Sequence, residues 1–285
     1  MPQIGPYTLH TIETGRFGLD GGAMFGVVPK VLWQKAYPCD ENNLCNWSMR
    51  CLLVEDEDRL VLIDNGIGDK QDEKFLRHYH LNGDDSLEKS LSEQGFKKED
   101  ITDVILTHLH FDHCGGSIEY SDDGQSYKLA FPNATYHTSR KQYEWATHPN
   151  QREKASFLKE NILPIEESGQ LNLIDEEGEL LPNIDVKLYH GHTEAQVIPH
   201  INYNGKTVVF MADLMPSTAH IPMPWIMAFD VRPLQTLKDK ERFYKEALEN
   251  DYILYFEHDL YNECATLHQT EKGVRVKETF KLTDL

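Results

Sequence analysis

Apolar residues in this chain come in short blocks that stop abruptly on polar ones, and the blocks predict the elements. Met49–Val54 and Leu60–Asp64 flank the acidic turn Glu55–Asp58 and predict a hairpin. Asp85 with Glu88 suggests a capping box for a short helix that carries Leu87 and Leu91 on one face and ends at Gly95. A strand at Asp103–Thr107 follows. DVKLYHGHT (Asp185–Thr193), TVVFMADLM (Thr207–Met215) and YILYFEHDL (Tyr252–Leu260) repeat one design: a β-rich run that halts on polar residues, placing His192, Asp213 and His258 at the downstream ends. Between the last two, Thr236–Asn250 reads as a helix with Phe243, Tyr244, Ala247 and Leu248 on one stripe. The tail, Thr266–Leu282, reads as a hairpin turning near Lys272-Gly273. Strands mixed with helices, with polar residues gathered at strand ends, predict an α/β protein whose site is built from loops on one rim of its sheets. No repeat or linker divides the 285 residues, so one domain over residues 1–285 is expected, long enough to bury roughly 75% of its unfolded surface.

Charge removes several classes of partner. Lys and Arg total 28 against 47 Asp and Glu, a net charge of -19, which repels phosphate backbones and anionic membranes. Neither nucleic acid nor membrane is expected as a partner. The N-terminal residues show no basic segment followed by an apolar run, and no window reaches the ~18 apolar residues of a membrane span, so a cytoplasmic location is expected. Five cysteines, an odd number, fit reduced thiols. Cys39, Cys45 and Cys51 are six apart, unlike the close pairs of a zinc knuckle, and read as free structural thiols.

The stretch THLHFDHCGG (Thr107–Gly116) places His108, His110, Asp112 and His113 within six positions. In an extended segment side chains alternate, so His108 and His110 share one side and can grip one ion. As the chain turns past Phe111, Asp112 and His113 can address a neighbouring position, with Gly115-Gly116 permitting a tight backbone. Imidazole and carboxylate suit zinc, iron or manganese.

HxHxDH followed by Gly-His, a strand-ending Asp and a late His resembles the metallo-β-lactamase superfamily of hydrolases over most of the chain. The resemblance implies a four-layered αβ/βα sandwich of two mixed sheets flanked by helices. It implies that His108, His110 and His192 hold one metal, that Asp112, His113 and His258 hold a second, and that Asp213 bridges both, with Asp64 bracing the ligand loop. The cofactors would be two divalent ions of the zinc type. DGGAMFGVVPKVLW (Asp20–Trp33), FPNATYH and MADLMPSTAH narrow the resemblance to the branch holding N-acyl-homoserine lactonases of the YtnP type and methyl-parathion-hydrolase-like enzymes.

That branch implies hydrolysis of a small ester, a lactone first, with Asp112 or Asp213 moving the proton. Other readings are a phosphotriesterase, a broad esterase or thioesterase of the same fold, and, from another class, a mono-iron persulfide-dioxygenase-like oxidoreductase. On residue type alone Met24, Phe25 and Trp33 are core; the resemblance assigns them to the substrate pocket. Well-known lactonases carry a tyrosine shortly after the bridging aspartate, whereas Asp213 is followed here by LMPSTAHIPMPW. His220 is the candidate donor in its place and Trp225 a candidate wall, with a surface histidine and a core tryptophan as the alternatives. His190 reads as a neighbour of the ligands or a surface residue. The partner would be a small molecule, and a homodimer is compatible with the reading.

Overall fold

A computed structural model describes residues 3–4, 6–203 and 205–285; residues 1, 2 and 5, within the stretch read for a leader segment, lie outside it. The first sheet is built from β1 (Gln3–Ile4), β2 (Tyr7–Asp20), β3 (Leu44–Glu55), β4 (Leu60–Ile63) and β5 (Asp103–Ile105). After a small hairpin of β6 (Ile118–Tyr120) and β7 (Tyr127–Leu129), it is completed by β8 (Thr135–Ser139) and β9 (Leu171–Ile174), in the order β1-β2-β3-β4-β5-β8-β9. The second sheet runs in chain order: β10 (Gly178–Leu181), β11 (Ile184–Tyr189), β12 (Gln196–Tyr203), β13 (Lys206–Phe210), β14 (Ile253–Tyr255), β15 (Cys264–Thr270) and β16 (Gly273–Phe280).

The apolar runs are explained by burial on both faces of the first sheet. In β3, Leu52 and Val54 enter the core between the sheets, while Cys51 and Leu53 enter a second core beneath the outer helices. In β4, Val61 and Ile63 point inward and Leu62 outward; in β5, Ile105 points inward and Val104 outward. A strand apolar on both sides needs a cover on both sides, each Leu, Ile or Val contributing about 1.5–3 kcal/mol when fully buried. Leu87 and Leu91 of the helix Leu87–Glu93, with Ile162 and Ile165 of the helix Lys159–Glu167, supply the outer cover. On the second sheet the helix Pro233–Glu249 does the same, pairing Glu246 with Lys187 and laying the Arg242 guanidinium 5.1 Å from the Tyr189 ring. The result is the αβ/βα sandwich, two sheets inside and helices outside.

The hairpin across residues 56–59 forms as the sequence implies, Asp56 N–H donating to the Arg59 carbonyl and β3 pairing antiparallel with β4. The capping of Leu87–Glu93 differs by one residue. Ser86, not Asp85, adopts the extended N-cap conformation, and its hydroxyl accepts from Lys89 N–H, so there is no Asp85–Glu88 box. A hydroxyl N-cap meets the same need.

Polar residues gather where the sequence places them. β4 pairs parallel with β5, and β13 parallel with β14. Asp64, His108, Asp213 and His258 follow the C-terminal ends of these four strands, and His192 follows the end of β11. All five reach one rim.

Candidate metal centre

Each loop of the rim is held by particular contacts. Thr107–His110 is irregular rather than a strand extension, and the short helix Phe111–Cys114 then aims Asp112 and His113. Asp64, fully buried, accepts from Thr107 N–H (2.8 Å) and Thr107 Oγ1 (2.7 Å) and lies 3.0 Å from His113 Nδ1. Gly115 has an ordinary helical φ of -61°, so a tight turn does not explain it. Space does: a Cβ would lie 2.0 Å from the Ile67 carbonyl oxygen, and one on Gly116 2.3 Å from that of Asn65. Gly191 is needed for the same reason, a Cβ there meeting Thr236 at 2.3 Å, and this approach lets the N–H groups of His190 and Gly191 both donate to Asp239 at 2.8 Å.

The loop bearing His258 is clamped by the buried Arg50 on β3. Its Nη1 donates to the carbonyls of Phe256 (3.0 Å) and Asp259 (2.9 Å), and its Nε pairs with Glu13 at 2.8 Å. Asp259 accepts from Thr218 N–H (2.9 Å) and Oγ1 (2.6 Å), tying this loop to the one after Asp213.

The donor atoms converge as two adjoining cages. In one, His108 Nε2 lies 3.0 Å from His110 Nδ1, His110 Nδ1 3.2 Å from His192 Nε2, and His192 Nε2 3.1 Å from Asp213 Oδ2. In the other, His113 Nε2 lies 3.2 Å from His258 Nε2, and both stand 3.8–3.9 Å from Asp112 Oδ2. Asp213 Oδ1, buried without a hydrogen-bond partner among the described residues, lies 3.3 Å from His258 Nε2. One carboxylate thus faces both cages. Ligands about 2.0–2.1 Å from a tetrahedral zinc are separated by about 3.3 Å, so the 3.0–3.3 Å spacings match the edges of such a polyhedron.

The outward nitrogens are also engaged. His192 Nδ1 meets Asp230 at 3.0 Å, His258 Nδ1 donates to the Ser48 carbonyl at 2.8 Å, and His113 Nδ1 meets Glu257 as well as Asp64, each at 3.0 Å. Glu153 lies 3.6 Å from His110 Nε2 and is fixed by Trp145 Nε1, Asn150 and Thr193. Such outer partners fix the orientation of ligand imidazoles. Sequence reasoning missed Glu153, Asp230 and Glu257. Glu257 adjoins His258 at a strand end and was in principle readable, but Glu153 and Asp230 stand in irregular segments with no motif around them.

Six carboxylates surround five histidines, and the field asks for positive charge. Burial pushes the imidazoles down, yet Asp213 lifts His192 to about 10 and His258 to about 9, with Asp230 aiding the first. Burial pushes the Asp213 carboxyl up, but His192 and His258 hold it well below the usual carboxylate range. Divalent ions would satisfy this field and displace the imidazole protons. The donor set therefore fits a pair of metal ions.

Against known sequences, the profile of the metallo-beta-lactamase superfamily matches residues 50–258, which take in all the cage residues. The chain belongs to that superfamily. Among superfamily relatives it is 28% identical to an N-acyl homoserine lactonase of Bacillus cereus over 161 residues, 53% of this chain and 57% of that one. It is 29% identical to a probable metallo-hydrolase of Mycobacterium tuberculosis over 154 residues, 47% and 45%. The chain thus spans about half the length of these curated relatives. The crystal structure of a probable metal-dependent hydrolase from Staphylococcus aureus aligns over 98% of both chains at 30% identity, with a TM-score of 0.89. A dizinc quorum-quenching lactonase in complex with a product aligns over 98% of this chain and 96% of its own at 22% identity, with a TM-score of 0.79, a likeness of fold.

Beside the paired cages a cavity of about 420 Å³ opens, where this superfamily member exposes Asp112 and the edges of His110, His192 and His258. Leu19, Phe111, Met227 and Phe229 form its apolar side, and Tyr79 and Arg152 its polar contributions. Of the side chains that the sequence assigns to the pocket, Met24 lines it. Phe25 and Trp33 do not: they are buried and stack on one another at 5.2 Å in an aromatic cluster under the rim. Trp225 meets the edge of Phe25 at 5.9 Å instead of walling the cavity.

His220 is likewise displaced from the catalytic role. It is buried, its Nδ1 is 2.8 Å from Ser217 Oγ, its Nε2 donates to the Met24 carbonyl at 2.8 Å, and its ring stacks on Phe25 at 4.7 Å. Both nitrogens are committed to the fold. His190 pairs with Glu194 at 2.7 Å and is no ligand. Cys39, Cys45 and Cys51 are free thiols, and burial raises that of Cys45 to about 12.

Proposed function

We propose that this chain is a metal-dependent hydrolase that opens a small ester, with a lactone of the N-acyl-homoserine type as its substrate. The observation that carries the reading is the convergence of seven donors into two cages sharing Asp213, on the wall of a half-apolar cavity. The N-acyl homoserine lactonase relatives support the lactone, and the cavity's apolar side offers a place for an acyl chain.

In this reading His108, His110, His192 and Asp213 hold one ion, and Asp112, His113, His258 and Asp213 the other; zinc suits the all-imidazole and carboxylate set. The pair would supply hydroxide at neutral pH and polarise an ester carbonyl. The chain's own residues do the rest. Asp112, with its side chain partly exposed toward the cavity, receives the proton released as water adds to the carbonyl carbon, and returns it to the ring oxygen as the acyl C–O bond breaks. Leu19, Met227 and Phe229 hold the acyl portion and exclude bulk water from the reacting face. The partner is a small molecule; no helix of the described residues is long and apolar enough to cross a membrane.

The test combines elemental analysis with turnover of an N-acyl-homoserine lactone, a γ-lactone, a paraoxon-type phosphotriester, S-lactoylglutathione and nitrocefin. Two zinc-type ions per chain with lactone turnover dominant is the expected result. Dominant phosphotriester turnover would move the reading to that chemistry. A single iron with none of these hydrolysed would sink it.

A further inference from the structure

The displacement of His220 leaves the proposed reaction without a neutral donor for the substrate carbonyl, and the cavity wall shows where one stands. Apart from the cage residues, the side chains lining it that can donate a hydrogen bond are Tyr79, Arg152 and Ser156. The Arg152 guanidinium is turned to the Ala228 carbonyl at the rim. Ser156 lies on the segment that carries Glu153, its carbonyl accepting from Phe111 N–H.

Tyr79 differs from both. It ends a single 3-10 turn, Arg77–Tyr79, after which His80 takes a left-handed conformation with φ 47°, and Asn82 pairs with Arg16 through two backbone hydrogen bonds of 3.1 and 2.9 Å. The turn is therefore pinned to β2. Its ring is held between Phe111 (4.6 Å) and Phe75 (5.1 Å), and Phe111 is the residue directly before Asp112. Among the described residues the Tyr79 hydroxyl has no hydrogen-bond partner. A phenol keeps its proton at neutral pH, so the hydroxyl stands as a donor. A phenol locked by two aromatic neighbours, unpaired, and facing the same cavity as Asp112 and Asp213 is a preorganised donor of the kind that stabilises developing oxyanions.

We infer that Tyr79 is a catalytic residue that donates a hydrogen bond from its hydroxyl to the carbonyl oxygen of the ester or lactone. The donor comes from the turn before the helix Leu87–Glu93, far in sequence from the segment after Asp213, and the inference rests on the hydrolase reading above. The contact strengthens as the carbonyl oxygen gains negative charge, so its loss falls on kcat more than on KM.

The test uses the metal-loaded full chain as Tyr79→Phe, Tyr79→Leu and Tyr127→Phe, each with its metal content and thermal unfolding recorded. Tyr79→Phe keeps the ring between Phe75 and Phe111, so the fold and both ions are retained, and kcat falls by about 10²–10³-fold with KM little changed. Tyr127→Phe, a phenol exposed on the hairpin of β6 and β7 and outside the cavity lining, stays close to wild type. The second readout is isotope-edited infrared spectroscopy of a bound γ-lactam, an unhydrolysed carbonyl probe: its C=O stretch moves to higher frequency in Tyr79→Phe as the hydrogen bond is lost. If Tyr79→Phe matches wild type in kcat and in the lactam stretch while Tyr79→Leu raises KM, Tyr79 is only a wall and the inference is overturned, with the hydrolase reading intact. A fully loaded wild type that hydrolyses no ester or lactone overturns both.

Discussion

The cages and the cavity mouth lie side by side yet are built by opposite means. Four of the five cage histidines have their outward nitrogens within 2.8 to 3.6 Å of a protein oxygen that orients them, and His108, the fifth, has Thr107 Oγ1 at 3.1 Å. On the cavity's apolar side, Phe229 stands 43% exposed. A site that must hold charges within tenths of an ångström is over-determined, whereas a surface that accommodates variable apolar tails is loosely specified. Substitutions in the first region should therefore act on metal and chemistry, and those in the second on substrate choice.

The comparison is broken most severely at Asp213, which serves both cages. Asp213→Ala should reduce metal content below two ions per chain and abolish turnover, a loss beyond about 10³-fold in kcat by analogy with other groups essential to charge stabilisation, while circular dichroism remains that of the folded chain. Undiminished hydrolysis would refute the shared role. Next in size are the residues that orient the ligands: Asp64→Ala and Asp230→Ala should each weaken metal affinity by about 10–100-fold, read by competition with a chelator of known strength.

Acidity probes the same region. His192, at about 10, and His258, at about 9, have raised values, so each must lose a proton before an ion can be held. Protons therefore compete with metal over the whole range below about 10: affinity falls as pH falls, and binding at pH 7.5 releases protons, which calorimetry in buffers of different ionisation enthalpy would count. Uptake without proton release would contradict the fields assigned here. The smallest effect belongs to the mouth. Phe229→Ser should change KM for long-chain relative to short-chain substrates by about 10-fold or less, the worth of one or two methylenes in an apolar pocket, and leave metal content alone.

The same contrast explains what was legible in the sequence. Each of the seven donors follows a strand end or falls inside one dense motif, because a rim site needs short loops with donors at fixed offsets; the strand signals were strong since those strands are apolar on both faces. Asp64 could be read for the same reason. Glu153 could not, because it approaches His110 from a polar segment with no periodicity, and Asp230 reaches His192 from 38 residues away. Phe25 and Trp33 were misplaced because an aromatic residue stacked beneath a loop and one facing a pocket look alike in sequence; only packing separates them. His220 had the residue type and position of a donor, but its two nitrogens were already spent on Ser217 and Met24.

Each cage draws on both sheets: His108 and His110 leave the first sheet and His192 and Asp213 the second, while Asp112 and His113 stand opposite His258. An ion in the first cage would join His110 to His192, 82 positions apart, and one in the second would join His113 to His258, 145 apart. Metal bound there would be a pair of reversible cross-links across long loops, stabilising the chain by binding only its folded state, and without cysteine. Chelation should lower the melting temperature as well as remove activity, and the lifetime of the folded chain becomes a function of metal supply.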